Sequence, residues 1–375
     1  NNEHKKLNVP NLRFPEFQGE WEEERLSDIA DLYKGTGISK DQLSEEGEPC
    51  ILYGELYTKY KSETIKEVIS KTSIDNAKLV RSKANDVIIP CSGETVEDIA
   101  TARCILKDNI LLGGDLNIIR LRGYDGSFMS YQLNGKRKYD IAKVAQGVSV
   151  VHLYGEHLKR VKTINPCLEE QKKIASLLAL LDERIATQNK VIDKLQSLIK
   201  GIAHKISKQG RPNTRLTECL QCSSSTLQES EVAEVGVYPV YGANGIVGFL
   251  DYYNTANEAI YIIKDGSSVG TVSYVNGKCS ATGTLNTLQA KDGFLLRYLY
   301  FMLKVFSFEP YKTGMAIPHI YFKDYGKAKI YCPSYELQNK YANLLSKIEQ
   351  KAIVEQKMLN NLYNQKQYLL RQMFI

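Results

Sequence analysis

The chain has 375 residues, of which 43% are hydrophobic and 25% are charged. A single hydrophobic core rarely supports more than about 250–300 residues, so we expect at least two domains. The ordinary composition excludes a mostly disordered chain, and the sequence contains no run of about 18 apolar residues of the kind that spans a membrane. The net charge of +6 permits an anionic partner without establishing one.

The cysteines and the polar N-terminal residues bear on the cellular compartment. The eight cysteines are spread over the whole length, which is too sparse for a disulfide scaffold. Residues 1–10 are polar and contain no apolar segment of the kind found in a signal peptide. We therefore expect reduced thiols and a soluble, cytoplasmic protein that does not enter a membrane.

An internal repeat is the most informative feature of the chain. Residues 147–207 align without a gap on residues 314–374, at an offset of 167 positions. This pattern predicts a tandem duplication in which each half ends in a similar tail. The identical pairs include Gly147/Gly314, His152/His319, Tyr154/Tyr321, Pro166/Pro333, Glu169/Glu336, Gln171/Gln338, Leu178/Leu345 and Leu195/Leu362.

Each tail is predicted to be a long helix. Apolar residues recur at alternating steps of four and three positions, which is the heptad pattern of a coiled coil. Gln188, Glu355 and Lys366 interrupt this apolar seam. Two amphipathic helices buried separately on globular cores are the alternative, but the strict period favours two helices that pack on each other. The seam residues are Ile174, Leu178, Leu181, Ile185, Ile192, Leu195, Ile199, Ile202 and Ile206 in the first tail and Tyr341, Leu345, Ile348, Ala352, Leu359, Leu362, Leu369 and Met373 in the second.

The segments before the two tails are rich in strand patterns. Residues 86–90, 117–122 and 259–263 are β-branched runs bounded by turn residues. We expect an α+β protein with two tandem α/β domains, each followed by a long helix, in which the two helices form an antiparallel coiled coil with pseudo-twofold symmetry. The predicted boundaries are 1–165 for the first domain, 166–207 for the first helical region, 208–332 for the second domain and 333–375 for the second helical region.

No catalytic motif is recognisable in the sequence. No Gly-x-Gly-x-x-Gly segment follows a predicted strand, so a dinucleotide or methyl-donor loop is not indicated. Cys219 and Cys222 form a lone Cys-x-x-Cys pair, whereas a structural zinc site needs four ligands. We therefore expect no metal, no cofactor and no catalytic residue in this chain. For His152 and His319, a structural role and a DNA-facing role both stay open.

The remaining signal is typical of nucleic-acid binding. Many of the 24 tyrosines lie beside glycine turns and basic residues. Basic clusters such as 136–138 and 159–162 could contact phosphates, while polar side chains in loops can reach base edges. Polar loops also recur at corresponding places in the two halves. The candidate DNA-binding residues are Ser92, Gly93, Glu94, Thr95, Gln146 and Ser149 in the first half and Tyr241, Asn244, Lys264, Ser267, Ser268, Lys312 and Thr313 in the second.

Several segments resemble the DNA-specificity subunits of type I restriction-modification systems. The start of each tail carries the pattern Gly…Pro-x-x-Glu-x-Gln, which resembles the conserved region of that family. Each segment alone is moderately specific, but their order, duplicated and coupled to heptads, covers nearly the whole chain. The other matching segments are residues 9–21, 49–55, 90–95, 113–117, 238–248 and 266–271.

The resemblance implies a non-catalytic subunit whose two target-recognition domains each read half of a bipartite double-stranded DNA target. It implies that the helices carrying the seam residues bind two modification (methyltransferase) subunits, which hold S-adenosylmethionine and methylate adenine. It also implies that restriction motor-nuclease subunits join the complex. The tails depart from each other at Glu170, which is matched by Leu337, and at Lys366. A coiled-coil structural adaptor without DNA binding and a monomeric DNA-modifying enzyme are the alternatives, and the enzyme would need a cofactor motif.

Overall fold

The computed structural model describes residues 7–74, 78–147 and 151–375. The chain divides into two units: unit 1 contains Asn1–Gln188 and Met358–Ile375, and unit 2 contains Asn189–Lys357. Each unit therefore combines strands from one half of the chain with a part of each of two long helices.

The two long helices span Leu168–Ser207 and Tyr335–Gln372, and we refer to them as the first and second long helix. Pro166 and Pro333 lie two residues before them, outside the helical hydrogen-bonding pattern. No helix in the described parts of the chain is both long and apolar enough to cross a membrane.

The long helices pack against each other inside each unit. In unit 1, Leu178 near the start of the first long helix shares an apolar cluster with Leu370 near the end of the second. In unit 2, Ile199 near the end of the first long helix shares a cluster with Leu345 near the start of the second. The start of each helix thus pairs with the end of the other, which confirms the predicted antiparallel arrangement.

Unit 1 contains two five-stranded sheets, each with one parallel pair of strands and otherwise antiparallel pairs. In order of pairing, the first sheet consists of Ala30–Lys34, Leu116–Leu121, Val87–Pro90, Arg103–Ile105 and Thr64–Ile65. The second sheet consists of Leu43–Ser44, Ser70–Thr72, Glu48–Ile51, Leu111–Leu112 and Val80–Arg81. Two short antiparallel pairs join Glu22–Arg25 to Lys162–Asn165 and Ser92–Gly93 to Val151–His152. The shorter helices are Leu26–Ile29, Lys40–Gln42 (3₁₀), Glu55–Thr58, Val96–Ile99, Gly126–Asn134, Lys138–Val144 and Gly155–Leu158.

Unit 2 repeats this plan with fewer strands. Its four-stranded antiparallel sheet consists of Leu220–Ser224, Leu285–Ala290, Ala259–Ile263 and Val272–Val275. Its three-stranded sheet consists of Gly245–Leu250, Tyr238–Gly242 and Ser280–Ala281, and Thr214–Arg215 pairs with Lys329–Ile330. The shorter helices are Leu216–Cys219, Glu229–Glu231 (3₁₀), Leu296–Lys304, Glu309–Tyr311 (3₁₀) and Phe322–Tyr325.

The predicted strands lie at the centre of the larger sheets. Ala259–Ile263 has the predicted bounds, while the other two runs form Val87–Pro90 and Leu116–Leu121. The side chains of Val87–Ile89 and of Ile260 and Ile262 are fully buried. A strand covered on both faces has no solvent side, which explains why these runs are continuously apolar rather than alternating.

The repeated glutamine at the start of each long helix has the same role in both units. The Gln171 Nε2 group donates to Pro166 O (2.8 Å), and Gln171 Oε1 accepts from the Asp125 N–H (2.9 Å). Gln338 likewise donates to Pro333 O (2.9 Å) and accepts from the Leu295 N–H (3.0 Å). One amide therefore ties the start of each long helix to the start of a shorter helix, which is Gly126–Asn134 after the strand Leu116–Leu121 or Leu296–Lys304 after the strand Leu285–Ala290.

The departure at Glu170 has a structural reason in the N-terminal segment. Arg13 forms a bidentate ion pair with Glu170, with nitrogen–oxygen distances of 2.8 and 2.7 Å, and the Glu170 side chain is fully buried. This pairing holds the pKa of Arg13 above its usual value, because the hydrogen bond to Glu170 outweighs the effect of burial. The equivalent Leu337 of unit 2 is 39% exposed, so the two positions differ in their surroundings as well as in residue type.

Candidate nucleic-acid interface

In unit 2, two loops meet at the end of the strand Ala259–Ile263. The N–H of Ile320 donates to Lys264 O (2.9 Å), and the N–H of Gly266 donates to Pro318 O (3.0 Å). Thr313 and His319 exchange a pair of backbone hydrogen bonds of 2.9 and 2.7 Å. We refer to residues 264–268, 312–314 and 318–320 as the unit 2 loop cluster.

Unit 1 contains the same backbone arrangement. The N–H of Leu153 donates to Cys91 O (2.8 Å), and Ser92–Gly93 pairs with Val151–His152. Gln146 and His152 exchange backbone hydrogen bonds of 2.9 and 2.7 Å. We refer to residues 91–95, 146–147 and 151–153 as the unit 1 loop cluster. The hydrogen bonds make Cys91, Ser92 and Gln146 the structural equivalents of Lys264, Asp265 and Thr313.

A glycine occupies the same place in both loop clusters. Gly147 and Gly314, which match in the repeat, have φ angles of +125° and +90°. A side chain is strained in this region of backbone space, whereas glycine adopts it freely. A Cβ atom built on Gly314 would also lie 2.4 Å from Ile317 O. Glycine is thus required at position 314 for the loop to fold back on itself.

Most of the predicted DNA-binding residues of unit 1 lie in its loop cluster. Glu94, Thr95 and Gln146 are exposed, Ser92 is half-buried, and Gly93 is buried.

Two of these residues already make contacts within unit 1. Thr95 is bonded to a neighbour in sequence, because its Oγ1 accepts from the Asp98 N–H (3.1 Å) and donates to Asp98 Oδ2 (2.8 Å). Gln146 makes its bridge through the backbone, which leaves its exposed amide side chain at the surface. Ser149 lies outside the described residues.

In unit 2, five of the seven predicted residues lie in the loop cluster. Ser267, Ser268 and Thr313 are exposed, and Lys264 and Lys312 are half-buried. Lys312 Nζ donates to Glu309 Oε1 at 2.5 Å.

The other two residues belong to a separate hairpin. Asn244 is exposed at the turn between the strands Tyr238–Gly242 and Gly245–Leu250. Tyr241 packs against Tyr261 with a ring separation of 5.7 Å, and burial raises the pKa of its hydroxyl.

The seam residues predicted to bind partner subunits are mostly packed inside their own units. Leu178 and Leu345 are fully buried, and Ile174, Leu359 and Leu362 are at most 5% exposed. The apolar surface of the long helices lies elsewhere: Leu180, Met358 and Tyr368 are 60%, 42% and 59% exposed and line an open groove of unit 1.

Two exposed tyrosines beside the loop clusters are not among the DNA-binding residues predicted from the sequence. Tyr154 and Tyr321 match in the repeat, follow His152 and His319 by two residues, and are 53% and 48% exposed. Tyr154 contacts the ring of His157 edge-on at 5.6 Å, and Lys323 Nζ lies 5.3 Å from the centre of the Tyr321 ring. Because the two tyrosines are identical across the repeat, the sequence alone could have marked them as candidate binding residues.

The loop clusters carry several exposed hydrogen-bonding side chains. Hydroxyl, amide and imidazole groups both donate and accept hydrogen bonds, which is what recognition of base edges requires. Among residues 7–74, 78–147 and 151–375, no three His, Cys, Asp or Glu side chains converge as metal ligands. The exposed hydroxyl and amide groups of the loop clusters are suited to binding by hydrogen bonds.

Comparison with known proteins agrees with this reading. The family model for the type I restriction modification DNA specificity domain matches residues 18–197 and 215–364. A putative type I specificity subunit of Mycoplasma genitalium is 24% identical over 387 residues, which cover 94% of each chain. The specificity subunit of the type I restriction enzyme MjaVIII of Methanocaldococcus jannaschii is 28% identical over 200 residues, covering 53% of this chain and 44% of the relative.

A solved structure shows the same fold over nearly the whole length. The crystal structure of the type I restriction-modification S subunit from M. genitalium superposes with a TM-score of 0.69 and 21% identity, covering 98% of this chain and 99% of the other. The fold is thus that of a duplicated protein in which two units each combine sheets with parts of two paired long helices. The chain belongs to the type I restriction-modification DNA specificity family, so it is a sequence-specific DNA-recognition subunit and not itself an enzyme.

Proposed function

We propose that each unit reads one half of a bipartite DNA target through its loop cluster. The observation that carries the proposal is the recurrence of one backbone arrangement, with exposed polar side chains, in the two units. Equivalent positions hold different side chains: Ser92 and Gln146 in unit 1 correspond to Asp265 and Thr313 in unit 2. A shared scaffold with different hydrogen-bonding groups suits two half-sites of different sequence.

The long helices are proposed to bind two modification subunits, with the methyl donor S-adenosylmethionine held by those subunits. Restriction motor-nuclease subunits would join the same complex in the cytoplasm. The exposed apolar side chains Leu180, Met358 and Tyr368 support this part of the proposal, because exposed contiguous apolar surface marks protein interfaces.

The proposal is tested by mapping methylated adenines in cells that contain the chain and its modification subunits. The double variant Ser267→Ala/Ser268→Ala should change the second half-site alone, and Gln146→Ala should change the first half-site alone. Each lost base contact should reduce discrimination by about 1–3 kcal/mol. Gln146→Ala retains the bridge to His152, because that bridge is formed by backbone atoms.

A matched control is Ser197→Ala, which removes an exposed hydroxyl from the first long helix. This variant should methylate the same sequence as the unaltered chain. A response of both half-sites to a substitution in one unit, or of neither half-site to any of the loop variants, would contradict the assignment of these loops.

A further inference from the structure

His319 lies where the two loops of unit 2 meet, and its backbone is fixed on both sides. Its N–H and C=O groups are both bonded to Thr313, and the neighbouring Ile320 N–H is bonded to Lys264 O. The imidazole ring therefore projects from a rigid position rather than from a mobile loop tip. About one third of the side chain, 35%, is exposed.

The ring itself is held in one orientation. His319 Nδ1 lies 2.7 Å from Asp265 Oδ1. A Cβ atom on Gly314 would approach His319 Cδ2 to 3.2 Å, so the ring lies against the Gly314 backbone. Among the described residues, the contact with Asp265 is the one hydrogen bond found for the ring.

In the neutral ring, this contact determines which nitrogen carries the proton. A carboxylate accepts hydrogen bonds and does not donate them, so Nδ1 must carry the proton that is shared with Asp265. In a neutral imidazole, Nε2 is then a lone-pair acceptor. An acceptor is the complement of the exocyclic amino groups that adenine and cytosine present in the major groove.

We propose that His319 is a base-reading residue of the second half-site, and that its Nε2 accepts a hydrogen bond from an amino group of adenine or cytosine. Asp265 is the positioning residue that fixes the tautomer. The inference rests on the proposed function, because it requires the unit 2 loop cluster to face DNA. It adds a ring-nitrogen acceptor to a cluster in which the predicted residues Ser267 and Ser268 carry hydroxyls that donate and accept, and Lys312 carries donors only.

Unit 1 does not contain a matching histidine–carboxylate contact among its described residues. His152 matches His319 in the repeat, but the position of Asp265 is taken by Ser92. The His152 ring stacks on Tyr154 with centres 6.2 Å apart, and no carboxylate of the described residues lies within ion-pair distance of it. The tautomer of His152 is therefore not fixed in this way, and the proposal concerns the second half-site alone.

The tautomer can be measured without DNA. Two-bond nitrogen–proton NMR correlations of the full chain, labelled at its five histidines, distinguish a proton on Nδ1 from a proton on Nε2. His319→Gln assigns the signal. We expect the Nδ1–H form in the unaltered chain and loss of that preference in Asp265→Ala. A predominant Nε2–H form, or a doubly protonated ring at the pH of the binding experiment, would overturn the proposal.

The base contact is tested with DNA duplexes in which one amino group is deleted. Purine replaces adenine, or pyrimidin-2-one replaces cytosine, at each position of the mapped second half-site, and binding is measured with the complex of chain and modification subunits. At one position, the deletion should weaken binding of the unaltered complex about fivefold to tenfold. The same deletion should change binding of the His319→Ala complex by less than about twofold.

Other outcomes separate this inference from the proposed function. If no deletion is coupled to His319 while Ser267→Ala/Ser268→Ala still alters the second half-site, the role of His319 is refuted and the loop assignment stands. If neither the amino-group deletions nor the serine substitutions have an effect, the assignment of the unit 2 loops to DNA reading fails as well. His152→Ala is the matched control and should leave the second half-site unchanged. Should Asp265→Ala not fold, the NMR and base-deletion results on the unaltered chain decide the question.

Discussion

A carboxylate on a long helix is bonded to a tyrosine in each unit, but its cation comes from a different element. In unit 1, Tyr131 OH donates to Asp182 Oδ2 (2.7 Å). In unit 2, Tyr300 OH donates to Glu349 Oε1 (2.7 Å). Asp182 and Glu349 occupy matching positions of the repeat, so the duplication retains this contact between a long helix and the shorter helix Gly126–Asn134 or Leu296–Lys304.

The cation in unit 1 is Lys366 of the second long helix. Lys366 Nζ lies 2.6 Å from both Asp182 Oδ1 and Glu63 Oε2, and all three side chains are about nine-tenths buried. In unit 2, Glu349 is instead paired with Arg297 and Lys304 of the shorter helix Leu296–Lys304. Those two cations remain 25% and 30% exposed, so their pairing with Glu349 is partly hydrated.

The comparison explains why the second helical seam contains a lysine. The position that matches Lys366 in the first long helix is Ile199, which is 4% exposed within the apolar core of unit 2. Unit 1 thus has a buried ionic cluster where unit 2 has an apolar contact. Because unpaired buried charge is far more costly than a buried charge with a partner, the two anchors should respond differently to loss of the cation.

The largest expected effect is that of Lys366→Met. Removing the cation leaves Glu63 and Asp182 buried without it, and we expect a loss of about 3–5 kcal/mol in the free energy of unfolding. In unit 2, Lys304→Met should cost about 1 kcal/mol or less, because this contact is longer and more exposed and Arg297 remains paired with Glu349. Urea unfolding of the full chain measures both.

The control adds Glu63→Gln and Asp182→Asn to Lys366→Met. These changes remove both negative charges, and Asp182→Asn retains an oxygen that can accept from the Tyr131 hydroxyl, so much of the lost stability should return. Equal losses for Lys366→Met and Lys304→Met would contradict the contrast drawn between the two anchors.

The Lys366→Met variant should also depend on pH. Burial holds the pKa of Glu63 above its ordinary value of 4.5, and Lys366 opposes that rise. Without Lys366, a carboxyl with a raised pKa contributes stability below its unfolded value and loses that contribution as the pH rises through its folded value. The loss of unfolding free energy caused by Lys366→Met should therefore be smaller at pH 5 than at pH 7.

The glutamine anchors should respond equally in the two units. Gln171→Leu and Gln338→Leu each remove the oxygen that accepts from one backbone N–H and the amide that donates to one backbone C=O. Leaving such groups unsatisfied costs about 1–3 kcal/mol. We expect the two losses of unfolding free energy to agree within about 1 kcal/mol. A clearly larger loss in one unit would show that the repeat has diverged at this contact too.

Local patterns in the sequence predict the elements that recur in both units. The heptad steps predict the two long helices, and the apolar run Ala259–Ile263 predicts a central strand. Gln171 and Gln338 mark the helix starts because the same local contact has been retained twice. These features depend on neighbours a few residues apart, which is the range over which periodicity carries information.

Contacts between distant segments could not be predicted in this way. Lys366 and Glu63 are 303 residues apart, so the lysine reads as a break in the seam rather than as a buried cation. Asp265 and His319 are 54 residues apart, and no local pattern joins them. The departure at Glu170 became intelligible only through Arg13. Side-chain chemistry at such sites depends on the folded chain, and one sequence does not reveal it.

The smallest structural effect is expected from a change that leaves both loop clusters unaltered. Four residues inserted after Lys190, and four after the matching Lys357, lengthen both long helices at exposed positions. Four residues add about 6 Å at 1.5 Å per residue and turn the helix by slightly more than one full turn, so the seam is only mildly disturbed.

If the long helices set the distance between the half-sites, this insertion should change the spacer and nothing else. A shift of about 6 Å corresponds to just under two base pairs at ~3.4 Å per pair, so the preferred spacer should grow by one or two base pairs. Both half-site sequences should stay the same, because the loop clusters of the two units are unaltered. Methylation mapping measures spacer and half-sites together.

Insertion after Lys190 alone is the control, since it shifts one helix against the other and should lower activity. An unchanged spacer with full activity would refute the helices as a ruler, and altered half-site bases would show that they also affect recognition.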